Sequence, residues 1–331
     1  MLIRQNRLLQ TLRKSLTSVK DWFGVMNKSE EDVVCHGTKV AFRNWMSPLN
    51  DGSKDVVDEG TGLHCLHVKT LSSLIQAIGY KKFQANKCGH HIYFRGQTEL
   101  YKCPKRGDPY EFKPSALRGR RNEGALQDAK KVIKQEIAMF RRMNSSLFKD
   151  EREYPNDVIE GLLQQYGLKT TWFDVVDNIW VALWFSCYKS VFPVEIDTTA
   201  KNVSRAFVKM MRRDVNKEPT TAQFAYILLL GDENAEVVDL RCTLPSMFIR
   251  PHVQHGLLIR AAGVRSPNMA SLIKGIIRMD LYDALEWLGE SRLLTPESMM
   301  PPPNTDSGFK QLLASEAENT EEPFIKFPIY S

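Results

Sequence analysis

The chain has no long apolar run. Its densest apolar stretches are Ile179-Trp180-Val181-Ala182-Leu183-Trp184-Phe185 and Phe224-Ala225-Tyr226-Ile227-Leu228-Leu229-Leu230. Both fall far short of the roughly 20 residues that a membrane-spanning helix needs, so no transmembrane segment is expected. There is no C-x-x-C pair: Cys35, Cys65, Cys88, Cys103, Cys187 and Cys242 stand scattered, and no apolar signal-peptide core precedes them. That combination points to a reducing compartment, the cytoplasm, with thiols that are mostly packing groups. A Walker loop, G-x-G-x-x-G, G-x-S-x-G and H-E-x-x-H are all missing, which disfavours the common nucleotide and hydrolase sites. No internal repeat occurs.

What is present is the balance of an ordinary globular protein. Hydrophobic residues make up 43% and charged residues 25% of 331, enough apolar material to bury a substantial core. Lysine and arginine exceed aspartate and glutamate by 45 to 39, a net charge of +6. A mildly basic chain favours polyanions, nucleotides or nucleic acid, without requiring them.

The first 20 residues carry Arg4, Arg7, Arg13, Lys14 and Lys20 and no acid, while Leu9, Leu12, Leu16, Val19 and Phe23 recur at helical spacing. A basic amphipathic helix is expected there. It either packs on the domain, meets a partner, lies on a membrane surface or acts as a targeting sequence. From Cys35 to Gly62 the text is rich in Gly, Asp, Ser and Asn and reads as an irregular connection. Val68, Leu71, Leu74, Ile75 and Ile78 mark a helix ending at Gly79. His91 to Phe94 is a short strand. Leu126, Ala129, Ile133, Ile137 and Phe140 form the stripe of an amphipathic helix, and residues 158–166 form another closed by Gly167. Asp177-Asn178 caps an interior helix running to Tyr188. Residues 225–230, 237–240, 256–260 and 274–279 read as strands, and 281–288 as a helix ending at Gly289. The expected organisation is a basic helix and linker over 1–66, an α+β domain with a single mixed or antiparallel sheet flanked by helices over 67–303, and a polar acidic tail over 304–331.

Three places hold chemistry that packing alone would not select. In Phe94-Arg95-Gly96-Gln97 an arginine ends an apolar strand. Partly buried, it requires either a carboxylate of the protein or an anionic ligand held bidentately. Gly96 would permit close approach of a ligand to the backbone. The segment 163–174 carries Thr170, Thr171, Trp172, Phe173 and Asp174 after a helix end; Asp174, flanked by apolar residues, needs a partner, with Arg95 the first candidate. Third, Arg250-Pro251-His252-Val253-Gln254-His255-Gly256 opens a strand. Its H-x-x-H, like His64-Cys65-Leu66-His67 and Cys88-Gly89-His90-His91, lacks a third ligand at recognisable spacing, so no metal site is expected.

These segments resemble the FRG domain family, named for its Phe-Arg-Gly motif. The motif stands as Tyr93-Phe94-Arg95-Gly96-Gln97, and the Pro-Ser-x-x-Arg segment as Pro114-Ser115-Ala116-Leu117-Arg118. The Q-H-x-G-x-P-T-R-x-x-D segment appears, altered, over 164–174, with Lys169 in place of the proline and Thr171 in place of the arginine. The following helix is Val181-Ala182-Leu183-Trp184-Phe185, and a late glutamine–glycine element is Gln254-His255-Gly256. The likeness covers about 68–303. Its motif order is similar to that of the arginine–serine–glutamate ADP-ribosyltransferases, which implies an ADP-ribosyltransferase-like fold acting on NAD. On that resemblance Arg95 clamps the NAD phosphate or ribose, with Gly96, Gln97, Thr170 and His255 contacting NAD, and Gln254 and Asp174 form the catalytic pair. Families of this type are associated with toxins and with conflict between bacteria and phages.

Cleaving the nicotinamide–ribose bond passes through a cationic state that a carboxylate stabilises better than an amide does. Gln254 stands where a glutamate is expected, so Asp174 or Asp239 must supply the charge, or Gln254 only orients the ribose hydroxyls. The leading expectation is an NAD-handling enzyme that transfers ADP-ribose to a macromolecular acceptor or cleaves NAD. Its rivals are a non-catalytic nucleotide- or peptide-binding module with a structural Arg95–Asp174 network, and a nucleic-acid binder using Arg118 to Arg121, Arg141-Arg142 and Arg212-Arg213.

Overall fold

Residues 224–230 alternate between two covered faces, and this alternation organises the molecule. Tyr226, Leu228 and Leu230 pack with Leu126, Ala129, Phe173, Leu257 and Ile276. Ala225, Ile227 and Leu229 pack with Phe94, Val181, Ala182 and Trp184 on the other side. A strand whose two faces are both buried shows no polar alternation, hence its unbroken apolar text. The computed structural model describes residues 32–35, 38–41, 51–101, 112–118, 124–148, 150, 152–191, 195–197, 204–215, 223–263, 268–290, 293–318 and 329–330.

The strands are β1 Asp32–Cys35, β2 Thr38–Ala41, β3 Lys54–Val57, β4 His64–His67, β5 Ile92–Gln97, β6 Phe173–Val176, β7 Tyr188–Val191, β8 Glu195–Asp197, β9 Ser204–Arg212, β10 Phe224–Gly231, β11 Ala235–Asp239, β12 Gly256–Ala261, β13 Ile273–Asp280 and β14 Ile329–Tyr330. Eight of them form one sheet in the order β11-β12-β6-β5-β10-β13-β4-β3. Every neighbouring pair is antiparallel except β13 with β4. The fold is thus α+β with one large mixed sheet flanked by helices, as the sequence implies. A smaller sheet joins β14, β9 and β7, with β8 on β9, and β1 pairs with β2.

Helices cover both faces of the large sheet. Ala125–Met143 buries Leu126, Ala129, Ile133, Ile137 and Phe140, the stripe read from the sequence. Asn156–Gln165 packs against it through Ile159, Leu162 and Leu163. On the opposite face lies Ile179–Cys187, whose first turn is capped by the Asn178 side chain accepting from Trp180 N at 2.9 Å. This helix runs directly over β5. A Cβ on Gly96 would lie 1.9 Å from the Ala182 carbonyl oxygen and 2.8 Å from the Ser186 nitrogen. Gly96 is therefore required by helix–strand packing.

Three expectations are corrected. The stretch 35–62 is not wholly irregular: β2 and β3 lie within it, and β3 forms the edge of the large sheet. Its charged, mostly exposed side chains are those of an edge strand and leave no apolar run to read. The first helix does not stop at Gly79 but runs from Leu71 to Lys87, since Gly79 does not take the left-handed backbone of a helix-closing glycine. It ends at Cys88, and Gly89 takes the left-handed conformation (φ +75°) there. The segment after 304 is not simply a polar tail: Ser307–Glu318 is a helix whose Phe309 and Leu312 enter the core. The basic helix expected over 1–20 lies outside the described residues.

Gly96→Ala should lower stability by roughly 3 kcal/mol or more, because the methyl meets backbone that cannot rotate away. Urea unfolding of the two proteins measures this, and an unchanged midpoint would contradict the packing described.

Candidate functional site

Strands β5 and β6 register at the single pair Phe94↔Val176. Beyond it the two strand ends part, with Arg95-Gly96-Gln97 on one side and Phe173-Asp174-Val175 on the other. The antiparallel partners outside them, β10 and β12, continue their ladders past this point. The result is a split in the middle of the sheet, and Arg95 spans it. Its Nη1 donates to the Asp174 carbonyl oxygen at 2.6 Å. A cavity opens on each side of that brace.

The first cavity, about 240 Å³, is lined by Arg95, Gly96, Gln164, Gln165, Asp174 and Gln254, with Phe94, Val175, Val176, Phe185, Gly256 and Met300 as the apolar remainder. Arg95, Asp174 and Gln254, three residues singled out in the sequence, are thus brought to one place. Burial pushes the Asp174 carboxyl above the ordinary carboxylate range, opposed by the Arg95 guanidinium, a hydrogen bond from Gln164 and the charge of Arg118. Its Oδ1 also accepts from Gln165 Nε2 at 3.2 Å. Gln254 is 6% exposed, and its Nε2 donates to the Met299 carbonyl and lies 3.2 Å from Met300 Sδ.

Thr170 does not line this cavity. It is fully buried and donates its hydroxyl to Gln164 Oε1. Its own backbone is tied to the Ser115 turn: Thr170 N donates to Ser115 Oγ at 3.0 Å, and Ala116 N donates to the Thr170 carbonyl at 3.0 Å. The role of Thr170 is to position a glutamine. Gln164 and Gln165 are not singled out by the sequence; glutamines at a helix end carry no signal of their own until Asp174 is placed beside them.

The second cavity, about 230 Å³, is lined by Arg95, Gln97, Tyr101, Phe112, Lys113, Arg118 and Phe173. Gln97 falls here, across the brace from Asp174. Phe112 and Phe173 stack on one another with centroids 3.9 Å apart and planes within 7°. The Arg95 guanidinium carbon lies 5.7 Å from the Phe173 ring centre.

His255 lines neither cavity. It takes a left-handed backbone (φ 51°), and its Nδ1 sits 3.2 Å from Asp177 Oδ1. Asp177 also accepts from Arg241 Nη1 at 2.8 Å, and Arg241 grips Asp239 through two bonds of 2.9 and 2.7 Å. Asp239, the alternative carboxylate, is therefore held in this ion cluster and not at the Arg95 cavity. Among the described residues no three His, Cys, Asp or Glu side chains are placed to hold a metal ion.

The two departures from the motif have structural settings. Lys169 is exposed. Thr171 is buried: its N–H and hydroxyl donate to Glu160 Oε1 at 2.8 and 2.9 Å, and its oxygen accepts from Arg260 Nη1 at 3.0 Å. Arg260 lies over Trp172 at 4.0 Å and pairs with Glu236. A guanidinium thus reaches the 171 position from β12. No protein-family model, curated protein or solved structure matches the chain.

Thr170→Val keeps the shape and removes the hydroxyl that holds Gln164. The expected loss is about 1 kcal/mol of stability, read as a lowered urea midpoint. An unchanged midpoint would show that Gln164 is fixed by other contacts.

Proposed function

We propose that the protein handles NAD, breaking the nicotinamide–ribose bond and passing ADP-ribose to a macromolecular acceptor or to water, on an ADP-ribosyltransferase-like, FRG-type domain in the cytoplasm. The observation that carries this reading is that Arg95 lines a cavity shared with the carboxylate of Asp174. In this scheme Arg95 binds the dinucleotide phosphate, bidentate geometry being what a guanidinium offers such a group. Asp174 faces the ribose. As the bond breaks, its electron pair leaves with neutral nicotinamide and positive charge develops on the ribose carbon, which the carboxylate stabilises. The same carboxylate takes the proton of the incoming hydroxyl or water. Gln254, an amide, accepts neither charge nor proton and orients ribose hydroxyls.

A second reading is supported by the 2.6 Å bond from Arg95 to the Asp174 backbone. Arg95 and Asp174 then form a structural network in a binding module without catalysis. The two readings differ in what Arg95→Ala does. On the enzymatic reading it abolishes nicotinamide release from labelled NAD while the protein stays folded. On the structural reading it costs several kcal/mol of stability, because Asp174 loses the charge opposite it, and the wild type releases no nicotinamide.

Asp174→Asn should reduce nicotinamide release about a hundredfold, the usual effect of losing one well-placed charge. The pH profile adds a sign. Because burial raises the pKa of Asp174, the wild-type rate should begin to fall on acidification while still above the ordinary aspartate value of about 4. Asp174→Asn should lack that acidic limb. A limb that survives the substitution would remove Asp174 from the chemistry.

A further inference from the structure

We propose that Met300 is a modification site: a peroxide converts its thioether to the sulfoxide, and this oxidation displaces Gln254 in the first cavity. Met300 is only half-buried and is the one sulfur-bearing residue among those lining that cavity. A small oxidant entering the space meets this thioether and no other. Met299, next in the chain, is buried, as are Met269 and Met279, and oxidation of sulfur follows access.

The same sulfur holds a group that lines the cavity. Gln254 Nε2 donates to the Met299 carbonyl oxygen and lies 3.2 Å from Met300 Sδ, and these are the partners of its side-chain amide among the described residues. Both come from one held piece of backbone. The helix Pro296–Met299 opens on a reciprocal pair, Ser298 N donating to Thr295 Oγ1 at 3.1 Å and Thr295 N to Ser298 Oγ at 2.9 Å. Met300 N donates to the Pro296 carbonyl at 2.8 Å, and Pro301, Pro302 and Pro303 follow with their fixed φ. A change in the Met300 side chain is therefore passed to Gln254 and not absorbed by the backbone that carries it.

The step balances with the peroxide alone. A sulfur lone pair attacks one peroxide oxygen, and the S–O bond forms as the O–O bond breaks. The hydroxide that leaves takes the proton of the transferred oxygen and departs as water. Sulfur gives up two electrons and the peroxide gains them. The product sulfur is positively polarised and no longer accepts from Gln254; the new acceptor is the oxygen, a bond length away. An N–H···O bond holds its heavy atoms about 2.9 Å apart, so the amide must leave its place beside the sulfur to follow that oxygen.

Hydrogen peroxide applied to the full chain tests this. Peptide mass mapping over time should show one added oxygen on Met300 about tenfold sooner than on Met299, Met269 or Met279, with Met211, 41% exposed, as the freely oxidised reference. The side-chain amide resonance of Gln254 should shift on oxidation and return after treatment with methionine sulfoxide reductase. Met300→Leu, close in volume, should show no such shift under peroxide, while Met211→Leu should shift like the wild type. Three results would each overturn the site: Met300 oxidising no faster than Met299, a Gln254 signal unmoved once Met300 carries oxygen, or a shift that persists in Met300→Leu. None of these readings needs turnover, so they hold or fail independently of the enzymatic reading. The effect on rate does rest on that reading: where the wild type releases nicotinamide, peroxide should slow it about tenfold and leave Met300→Leu at its own starting rate. Equal slowing of both would remove regulation through Met300 and leave the enzyme.

Discussion

The single register pair between β5 and β6 is the constraint on which the site depends. A sheet that opens in its middle leaves backbone donors and acceptors without their ladder, and buried groups of that kind must be satisfied otherwise. Here a side chain does it: the Arg95 guanidinium takes the Asp174 carbonyl across the split. A long, forked, permanently charged donor spans such a gap where a short polar side chain could not. The same residue lines both cavities. Brace and candidate ligand group are therefore one residue, and this is why stability and activity must be measured together for any change at Arg95.

Around that brace, packing fixes what charge alone would leave loose. Ile179–Cys187 rests on Gly96 so closely that no side chain fits between them. Thr170 holds Gln164, and Ser115 holds Thr170. Beneath Gln165, Arg250 is fully buried, donates to the Gln165 carbonyl at 2.9 Å and lies over Tyr166 and Phe309 at 4.5 and 4.6 Å. Tyr166 donates to buried Asp306 at 2.6 Å. The helix after residue 306 therefore supports the glutamines that face Asp174, although it lies beyond the segment in which motifs were found.

How much of this the sequence shows depends on burial. Strand β10 is legible from its unbroken apolar text, the helices 125–143 and 156–165 from their apolar spacing, and 179–187 from its near-continuous apolar text behind the Asn178 cap. Strand β3 is not, because a charged edge strand hides only one residue in part. Strand β9, Ser204–Arg212, mixes basic residues among its apolar ones and gives no clean period. The end of the first helix is misread because glycine carries two opposite signals: Gly79 is tolerated inside a helix, while Gly89 closes it. At the site, the motif residues Arg95, Asp174 and Gln254 do converge. His255 diverges from its neighbour Gln254 because its backbone turns left-handed, a change of direction that no residue type at that position announces. Lys113 and Tyr101 carry no signal either. Phe112, next to Lys113, stacks on Phe173, Tyr101 follows the end of β5 by four residues, and both line a cavity with Arg95.

The burden of any chemistry at this site falls on Asp174, by elimination of its competitors. Gln254 enters the cavity, but its amide nitrogen is committed to the Met299 carbonyl, and an amide brings no net charge to a developing cation. Asp239 has the charge but is neutralised by a two-bond grip from Arg241. Asp174 alone among these three combines a carboxylate with the cavity. Its environment also pulls in opposite directions: burial, the larger influence, disfavours the ion, while Arg95, Arg118 and the neighbouring glutamines oppose it. The split in the sheet is spanned by one guanidinium, which lines both cavities and opposes the effect of burial on Asp174.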